Sequence, residues 1–194
     1  MIVKKGYCAM QIVSGKNKGL KLNTPKTNHT RPTLSRVKEA VFSSIADQIS
    51  GCHFLDLFAG TGQMGLEAIS RGASKVIFVD NDADAIALVK ENLQKLKELT
   101  STDHQLYHRS ASEVIEMLSD PADVIYIDPP YTYGETYRLL EQIAKHKCLQ
   151  DGGLLILEQS VSEPLTLPDT WEVVKTKKYG KSHIHYLKEA GARP

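Results

Sequence analysis

Hydrophobic positions along the chain change their period near residue 52. Before it, Met10–Val13 and Leu20–Leu22 are short apolar stretches separated by Ser14-Gly15-Lys16-Asn17-Lys18-Gly19, which predicts a hairpin with a Gly/Asn turn. Asn23–Pro32 is polar and turn-rich, and Thr33 is a suitable N-cap for a helix beginning there. Leu34, Val37, Val41 and Ile45 are spaced three, four and four residues apart, predicting an amphipathic helix to about Ile49, closed by Ser50-Gly51.

From Cys52 onward, strand-like and helix-like segments alternate. His53–Phe58 reads as a buried strand, Gly60-Thr61-Gly62 as a tight loop, and Gln63–Arg71 as a helix stopped by Gly72. Lys75–Val79 is a second strand, and Ile86, Val89, Leu93 and Leu96 mark one face of the next helix. Gln105–His108 reads as a third strand, with Ser112 capping a short helix to Leu118. Asp123–Ile127 is apolar and β-branched, as a central parallel strand is, and a helix follows from about Glu135 to His146. Asp151-Gly152-Gly153 turns into a strand Leu154–Glu158. Trp171–Thr176 and His183–Leu187, joined across Tyr179-Gly180, predict a closing hairpin. Alternation of this kind predicts an α/β, doubly wound sheet of seven strands, helices on both faces and an antiparallel edge.

Composition narrows the class. A chain of 194 residues that is 41% hydrophobic and 24% charged is an ordinary globular domain. No apolar run approaches the ~20 residues of a membrane span, and the first residues show no signal-peptide core, so a soluble, cytoplasmic protein is expected. Cys8, Cys52 and Cys148 are widely spaced and no His-Glu-x-x-His helix occurs, so neither a disulfide framework nor a metal is expected. His183 and His185 alternate on a strand and read as sheet residues.

The net charge of +1 conceals a partition. Residues 1–38 hold nine Lys/Arg and no Asp/Glu, residues 39–172 hold nine basic against 22 acidic, and residues 173–194 hold six basic and one acidic. Basic ends on an acidic body, interleaved with Tyr7, His29, Tyr179, His183 and Tyr186, favour a nucleic-acid partner.

Two stretches carry candidate chemistry. In Asp128-Pro129-Pro130-Tyr131, two prolines end the ladder and leave a carboxylate, rigid carbonyls and an aromatic ring at the carboxyl end of a strand, where open α/β sheets bind ligands. That cluster suits alkylation of an amine conjugated to a ring. The Asp128 carboxylate and Pro129 carbonyl would hold the N–H donors and Tyr131 would stack on the base. Taken alone, the four residues fit an Asp-Pro turn with a surface Tyr equally well. Gly60-Thr61-Gly62-Gln63-Met64-Gly65 matches G-x-G-x-x-G, and Asp80 lies 20 residues beyond Gly60, as in a dinucleotide fold. Asp56, however, stands just before the loop and would repel a pyrophosphate at the helix N-terminus. S-adenosylmethionine has no phosphate and brings a sulfonium and an ammonium, so it is the better match. Asp56, Asp80 and Asp128 are expected on one rim.

With these residues in place, the chain resembles the RsmD family of small-subunit ribosomal RNA guanine-N2 methyltransferases, which modify guanine-966 of 16S rRNA. The resemblance is carried by Ser14-Gly15-Lys16 with Lys18-Gly19, Thr30-Arg31-Pro32-Thr33 with Arg36-Val37-Lys38-Glu39-Ala40, Asp56-Leu57-Phe58-Ala59-Gly60-Thr61-Gly62 and Asp128-Pro129-Pro130-Tyr131. Gly65-Leu66-Glu67-Ala68, Ser70-Arg71-Gly72-Ala73 and Tyr179-Gly180 add to it. It implies a Rossmann-like class I S-adenosylmethionine-dependent methyltransferase domain over residues 34–194, preceded by a basic hairpin and arm over residues 1–33 that contacts RNA. Asp56, Phe58, Gly60, Gly62, Asp80, Asn81, Ser110 and Ala111 would hold the cofactor, and Asp128, Pro129, Pro130 and Tyr131 a flipped guanine. The family has Asp-Ala where this chain has Ser110-Ala111, so adenine recognition falls to a backbone group or to the Ser110 hydroxyl. Lys16, Lys18, Lys21, Arg31, Thr33, Arg36, Lys177, Lys178 and Lys181 would grip RNA.

The expected reaction is in-line methyl transfer to guanine N2 of 16S rRNA, naked or assembled in the small-subunit particle, by a monomer without metal. A DNA adenine-N6 methyltransferase shares the tetrapeptide, but no region is spare for reading a major groove. A nicotinamide-dependent oxidoreductase and a non-catalytic RNA-binding protein are the rivals from other classes.

Overall fold

The structure, a computed structural model, describes residues 10–25, 33–96, 102–130 and 136–191. Its centre is β4 (Ala122–Ile127), five of whose six residues are buried, as expected of a strand with neighbours on both sides and helices on both faces. Around it lie β1 (His53–Asp56), β2 (Lys75–Asp80), β3 (Asp103–His108), β5 (Leu149–Ser160), β6 (Trp171–Tyr179) and β7 (Ser182–Glu189) in the order β3-β2-β1-β4-β5-β7-β6. The first five run parallel. β7 is antiparallel to both β5 and β6, so the chain overshoots to the edge and returns between them.

Helices α1 (Thr33–Ser44), α2 (Gln63–Ser70), α3 (Ala83–Leu93), α4 (Ala111–Met117) and α5 (Thr136–Lys145) cover the two faces. Strand alternation divides the core accordingly. Phe54, Phe78, Val124, Tyr126 and Ile156 share one face with Val41 and Phe42 of α1, Leu66 of α2 and Val89 of α3. Leu55, Ile77, Ile125 and Leu157 face Val114 and Ile115 of α4 and Leu140 and Ile143 of α5. The predicted doubly wound, seven-stranded sheet is the fold observed.

Several predicted boundaries shift. The Ser112 cap is replaced by Ser110, which forms a capping box with Glu113, while Ser112 lies inside α4 and donates to Gln142. The first strand ends at Asp56 rather than Phe58, and α1 ends at Ser44, although Ile45 and Ile49 stay buried beyond it. β5 begins at Leu149, five residues early. The Gly152-Gly153 segment lies within it, a register irregularity between Ala122 and Val124 absorbs the misfit, and a Cβ on Gly153 would stand 2.9 Å from the Asp123 carbonyl. Among the described residues, the N-terminal hairpin pairs through one bridge, Gln11 with Lys21.

That hairpin is nonetheless fixed to the body. Ile12 and Leu22 are buried in the same core as α1 to α3. The Ser70 hydroxyl donates to the Ser14 carbonyl at 2.7 Å and accepts from Asn17 N, and the Ser70 carbonyl accepts from Lys16 N. Gly15 passes so close that a Cβ would lie 1.9 Å from that carbonyl oxygen. Beneath, Glu67 is wholly buried and accepts from Val13 N at 2.8 Å, Ser14 N at 2.9 Å and Arg71 Nε at 2.9 Å, with Lys38 Nζ 3.2 Å away.

Close approach also explains the third glycine of the loop. A Cβ on Gly65 would lie 2.2 Å from the edge of the buried Phe78 ring, so only glycine lets α2 sit this close to β2. Gly65→Ala is expected to lower unfolding free energy by about 1–3 kcal/mol in urea denaturation.

Candidate active site

In a parallel sheet, the carboxyl ends of the strands form one rim. Here β1 ends in Asp56, β2 ends in Asp80, and β4 runs directly into Asp128. Alternation puts Asp56 on the face of Phe54, and Asp80 on that of Phe78, the side covered by α1, α2 and the hairpin. Ile127 pairs with Leu157, which sets Glu158 of β5 beside Asp128. The expected rim of acids is present, with a fourth member.

Asp80 organises the glycine loop. Its Oδ2 accepts from Gly60 N at 2.8 Å and its Oδ1 from Asp82 N at 2.9 Å, so one carboxylate pins the loop and the turn into α3. Gly60 and Gly62 have φ of 51° and 75°, which side chains disfavour, and Gly62 also packs against Val89. A Cβ on Gly60 would meet nothing within 4 Å, so that position opens outward. The hairpin reaches this loop too. Thr61 Oγ1 donates to Met10 Sδ, and the buried Asn92 side chain donates to the carbonyls of Thr61 and Asn23.

Asp56 lies under the loop. Its Oδ2 accepts from Gly65 N at 3.2 Å, but its buried Oδ1 has no hydrogen-bond partner among the described residues. Burial pushes the carboxyl up from 3.8 to about 7; the Gly65 N–H opposes this and the Asp80 charge adds to it. The folded protein therefore holds this proton more tightly than the unfolded chain. The contribution to stability is full below the ordinary value and is lost as pH rises through about 7. Between about pH 5 and about pH 7.5, the stability of the wild type relative to Asp56→Asn is expected to fall, as read by urea denaturation at the two values.

An orphaned buried acceptor beside an outward-opening glycine loop fits a ligand that brings donors or a cation. Residues 57–66 contain no Lys or Arg, and the Asp56 carboxyl lies directly under the loop, an acceptor where a phosphate at the α2 N-terminus would need donors. These acceptors fit S-adenosylmethionine, which brings an ammonium, ribose hydroxyls and a sulfonium.

The other predicted residues fall into place unevenly. Phe58 is half-buried against the α4/α5 side of the core. Asn81 is exposed, its carbonyl 3.2 Å from His108 Nε2. Ala111 is buried at the start of α4. The Ser110 hydroxyl donates to Glu113 Oε2 at 2.7 Å, so it is occupied with its helix. Pro129 is half-buried and Pro130 exposed, whereas Tyr131 and Arg31, and the side chain of Thr33, lie outside the described residues. Lys16, Lys18, Lys21, Arg36, Lys178 and Lys181 are exposed, and Lys177 is half-buried with Nζ 3.4 Å from Ser44 Oγ. β6 runs parallel to β5, so its end at Tyr179 and the turn to Ser182 reach the same rim as Asp128.

Sequence reasoning gave no role to Glu158 or to Tyr126, whose hydroxyl donates to Glu158 Oε2 at 2.7 Å. The signal was a single acid closing the apolar run Leu154-Leu155-Ile156-Leu157. Lys38 was likewise overlooked, although it stands four residues after Leu34 on the apolar stripe of α1. His183 and His185 are sheet residues, and His185 Nδ1 is 2.9 Å from Thr176 Oγ1. No group of His, Cys, Asp and Glu among the described residues could hold a metal, and none of their helices is long and apolar enough to cross a membrane.

Known proteins match the chain in sequence and fold over nearly its whole length. The family described as Conserved hypothetical protein 95 matches residues 10–188. YlbH of Bacillus subtilis is 36% identical over 189 residues, covering 94% of this chain and all of that protein. Ribosomal RNA small subunit methyltransferase D of Escherichia coli is 31% identical over 190 residues, covering 95% of this chain and 93% of that one. The solved structure of yhhF from Escherichia coli superposes with a TM-score of 0.81 at 28% identity, over 93% of this chain and 98% of that one. Rim, glycine loop and near full-length match agree: the chain belongs to the RsmD family.

Proposed function

We propose that this protein is an S-adenosylmethionine-dependent rRNA methyltransferase acting on the exocyclic N2 of a guanine in small-subunit 16S rRNA. The observation that carries the reading is the meeting of Asp56, Asp80 and Asp128 on one rim beside a glycine loop without basic side chains. The family relation to a small-subunit rRNA methyltransferase supports the substrate class.

When bound, S-adenosylmethionine supplies an electrophilic methyl group on a sulfonium. Asp56 Oδ1 would accept from its ammonium and Asp80 from the ribose hydroxyls, using lone pairs its backbone partners leave over. With the Ser110 hydroxyl and N–H both held by Glu113 and its carbonyl accepting from Val114 N, adenine recognition would pass to the backbone of Ala111. Asp128 and the Pro129 carbonyl would hold the N2 hydrogens of a flipped guanine and aim the nitrogen lone pair. The attacking amine is uncharged, so its proton can leave after the new bond forms. The rate gain comes from positioning and from carboxylates facing a developing positive charge.

Lys16, Lys18 and Lys21 on the hairpin and Lys177, Lys178 and Lys181 around the β6–β7 turn would contact phosphates. Replacing Lys16, Lys18 and Lys21 together by alanine is expected to weaken RNA binding and to reduce the slope of log K against log salt by about 2–3. An unchanged slope in filter binding would remove the hairpin from the interface.

The function is tested by incubating the protein with labelled donor and either undermethylated small-subunit rRNA or duplex DNA, then mapping the modified nucleotide. Label on guanine N2 of the RNA is expected. Label on DNA adenine would replace this reading with the N6 one, and saturable heat from NADH but none from S-adenosylmethionine would end it.

A further inference from the structure

Two carboxylates, not one, face the end of β4. Asp128 and Glu158, side by side on neighbouring strands, line a common cleft with Pro129, Pro130, Ser160 and Ser182, and a third carboxylate, Glu163, reaches it from the segment after β5. Glu158 is only 8% exposed, yet its side chain is turned to this rim rather than to solvent. It is held there by the Tyr126 hydroxyl, which donates to Oε2 at 2.7 Å. Tyr126 belongs to the same strand as the approach to Asp128, and its own ring is buried. Burial, then the charges of Asp128 and Glu158, hold that hydroxyl protonated, so it remains a donor to Glu158. The Tyr126 hydroxyl takes up one lone pair of Oε2 and fixes the carboxylate, which has further lone pairs for a second donor.

Guanine presents two neighbouring donors on one edge, N1–H and the N2 amine. Adenine presents a donor, N6, next to a bare acceptor, N1. Two side-by-side carboxylates match the first edge and repel the second. We propose that Glu158 selects guanine by accepting its N1–H while Asp128 holds the reacting N2 amine. This assignment rests on the guanine-N2 activity proposed for the same site. It makes Glu158 a specificity residue and gives the cleft a physical reason to reject adenine.

The test uses small-subunit rRNA assembled by ligation, with guanine or 2-aminopurine at the methylated position. 2-Aminopurine keeps the 2-amino group but carries no hydrogen on N1. The full-length wild type is expected to prefer guanine by on the order of 10- to 100-fold in kcat/KM. Glu158→Gln can offer an N–H to the bare N1, so its preference is expected to shrink to within about threefold. A purely structural role would lower both rates in proportion and leave the ratio alone. An unchanged ratio in that variant, or equal rates in the wild type, would overturn the proposal. Should Glu158→Gln fail to fold, Tyr126→Phe, which frees Glu158 while retaining the ring, is expected to lower the guanine preference, and an unchanged preference there counts against it. Absence of methylation on any RNA by the wild type would instead bring down the guanine-N2 reading beneath it.

Discussion

Asp128→Ala is expected to lower single-turnover methyl transfer by about 10²- to 10³-fold while S-adenosylmethionine binds almost as before. The separation follows from the strand order. The proposed cofactor residues Asp80, Asp56 and Gly60 belong to β2, β1 and the loop after it, whereas Asp128 follows β4 and opens toward β5. Removing its carboxylate takes away an acceptor that fixes the amine and faces the charge growing on it. The fold loses little, because Asp128 is only half-buried and lies past the last ladder residue, Ile127. Rapid-quench measurement with labelled donor gives the rate, and calorimetry gives the donor affinity. Near-normal transfer would remove Asp128 from the reaction, and loss of donor binding would move it to the cofactor half.

The largest expected stability effect lies away from the rim. Glu67→Ala is expected to cost about 3–5 kcal/mol in urea denaturation. Glu67 and Lys38 are both essentially buried, and Glu67 also satisfies Val13 N, Ser14 N and Arg71 Nε. Removing the carboxylate strips two backbone donors of their partner and leaves the Lys38 ammonium with the Gln11 carbonyl at 2.6 Å. Burial already lowers the Lys38 pKa, with Glu67 opposing, so the lysine in the variant loses the group that keeps it charged. Replacing both, Glu67→Leu with Lys38→Met, is expected to recover much of the loss, since an apolar pair leaves no stranded charge. The backbone amides of Val13 and Ser14 would still lack their acceptor, so recovery stays incomplete. A loss under about 1 kcal/mol for Glu67→Ala would show that the cluster contributes little.

How far the sequence led differs by element, for physical reasons. β4 was legible because a strand buried on both faces is written as an uninterrupted β-branched run, and the proline pair marks its end. The rim of acids was legible because strand ends in an alternating β/α chain fall on one side. Ser110 and Ser112 are both plausible caps, and the decision came from Glu113, three residues after Ser110, whose side chain bonds back to Ser110 N. Gly152-Gly153 reads as a turn by composition, and the pair falls in the register irregularity between the paired residues Leu149 and Leu154, so the strand carries the kink within it instead of starting after it. The Lys38–Glu67 pair joins positions far apart in the chain, and no local pattern encodes such a partnership. Glu158 was hidden because a single acid at the end of an apolar run does not say whether it faces water or a neighbour.

The clamp of Glu67 and Ser70 on the hairpin makes the proposed phosphate grip and the methylation point parts of one stiff body. An enzyme so built works like a fixed caliper. It would pick its nucleotide by how far that base stands from a folded stretch of backbone, and reshaping the RNA around an unaltered target sequence should silence the reaction.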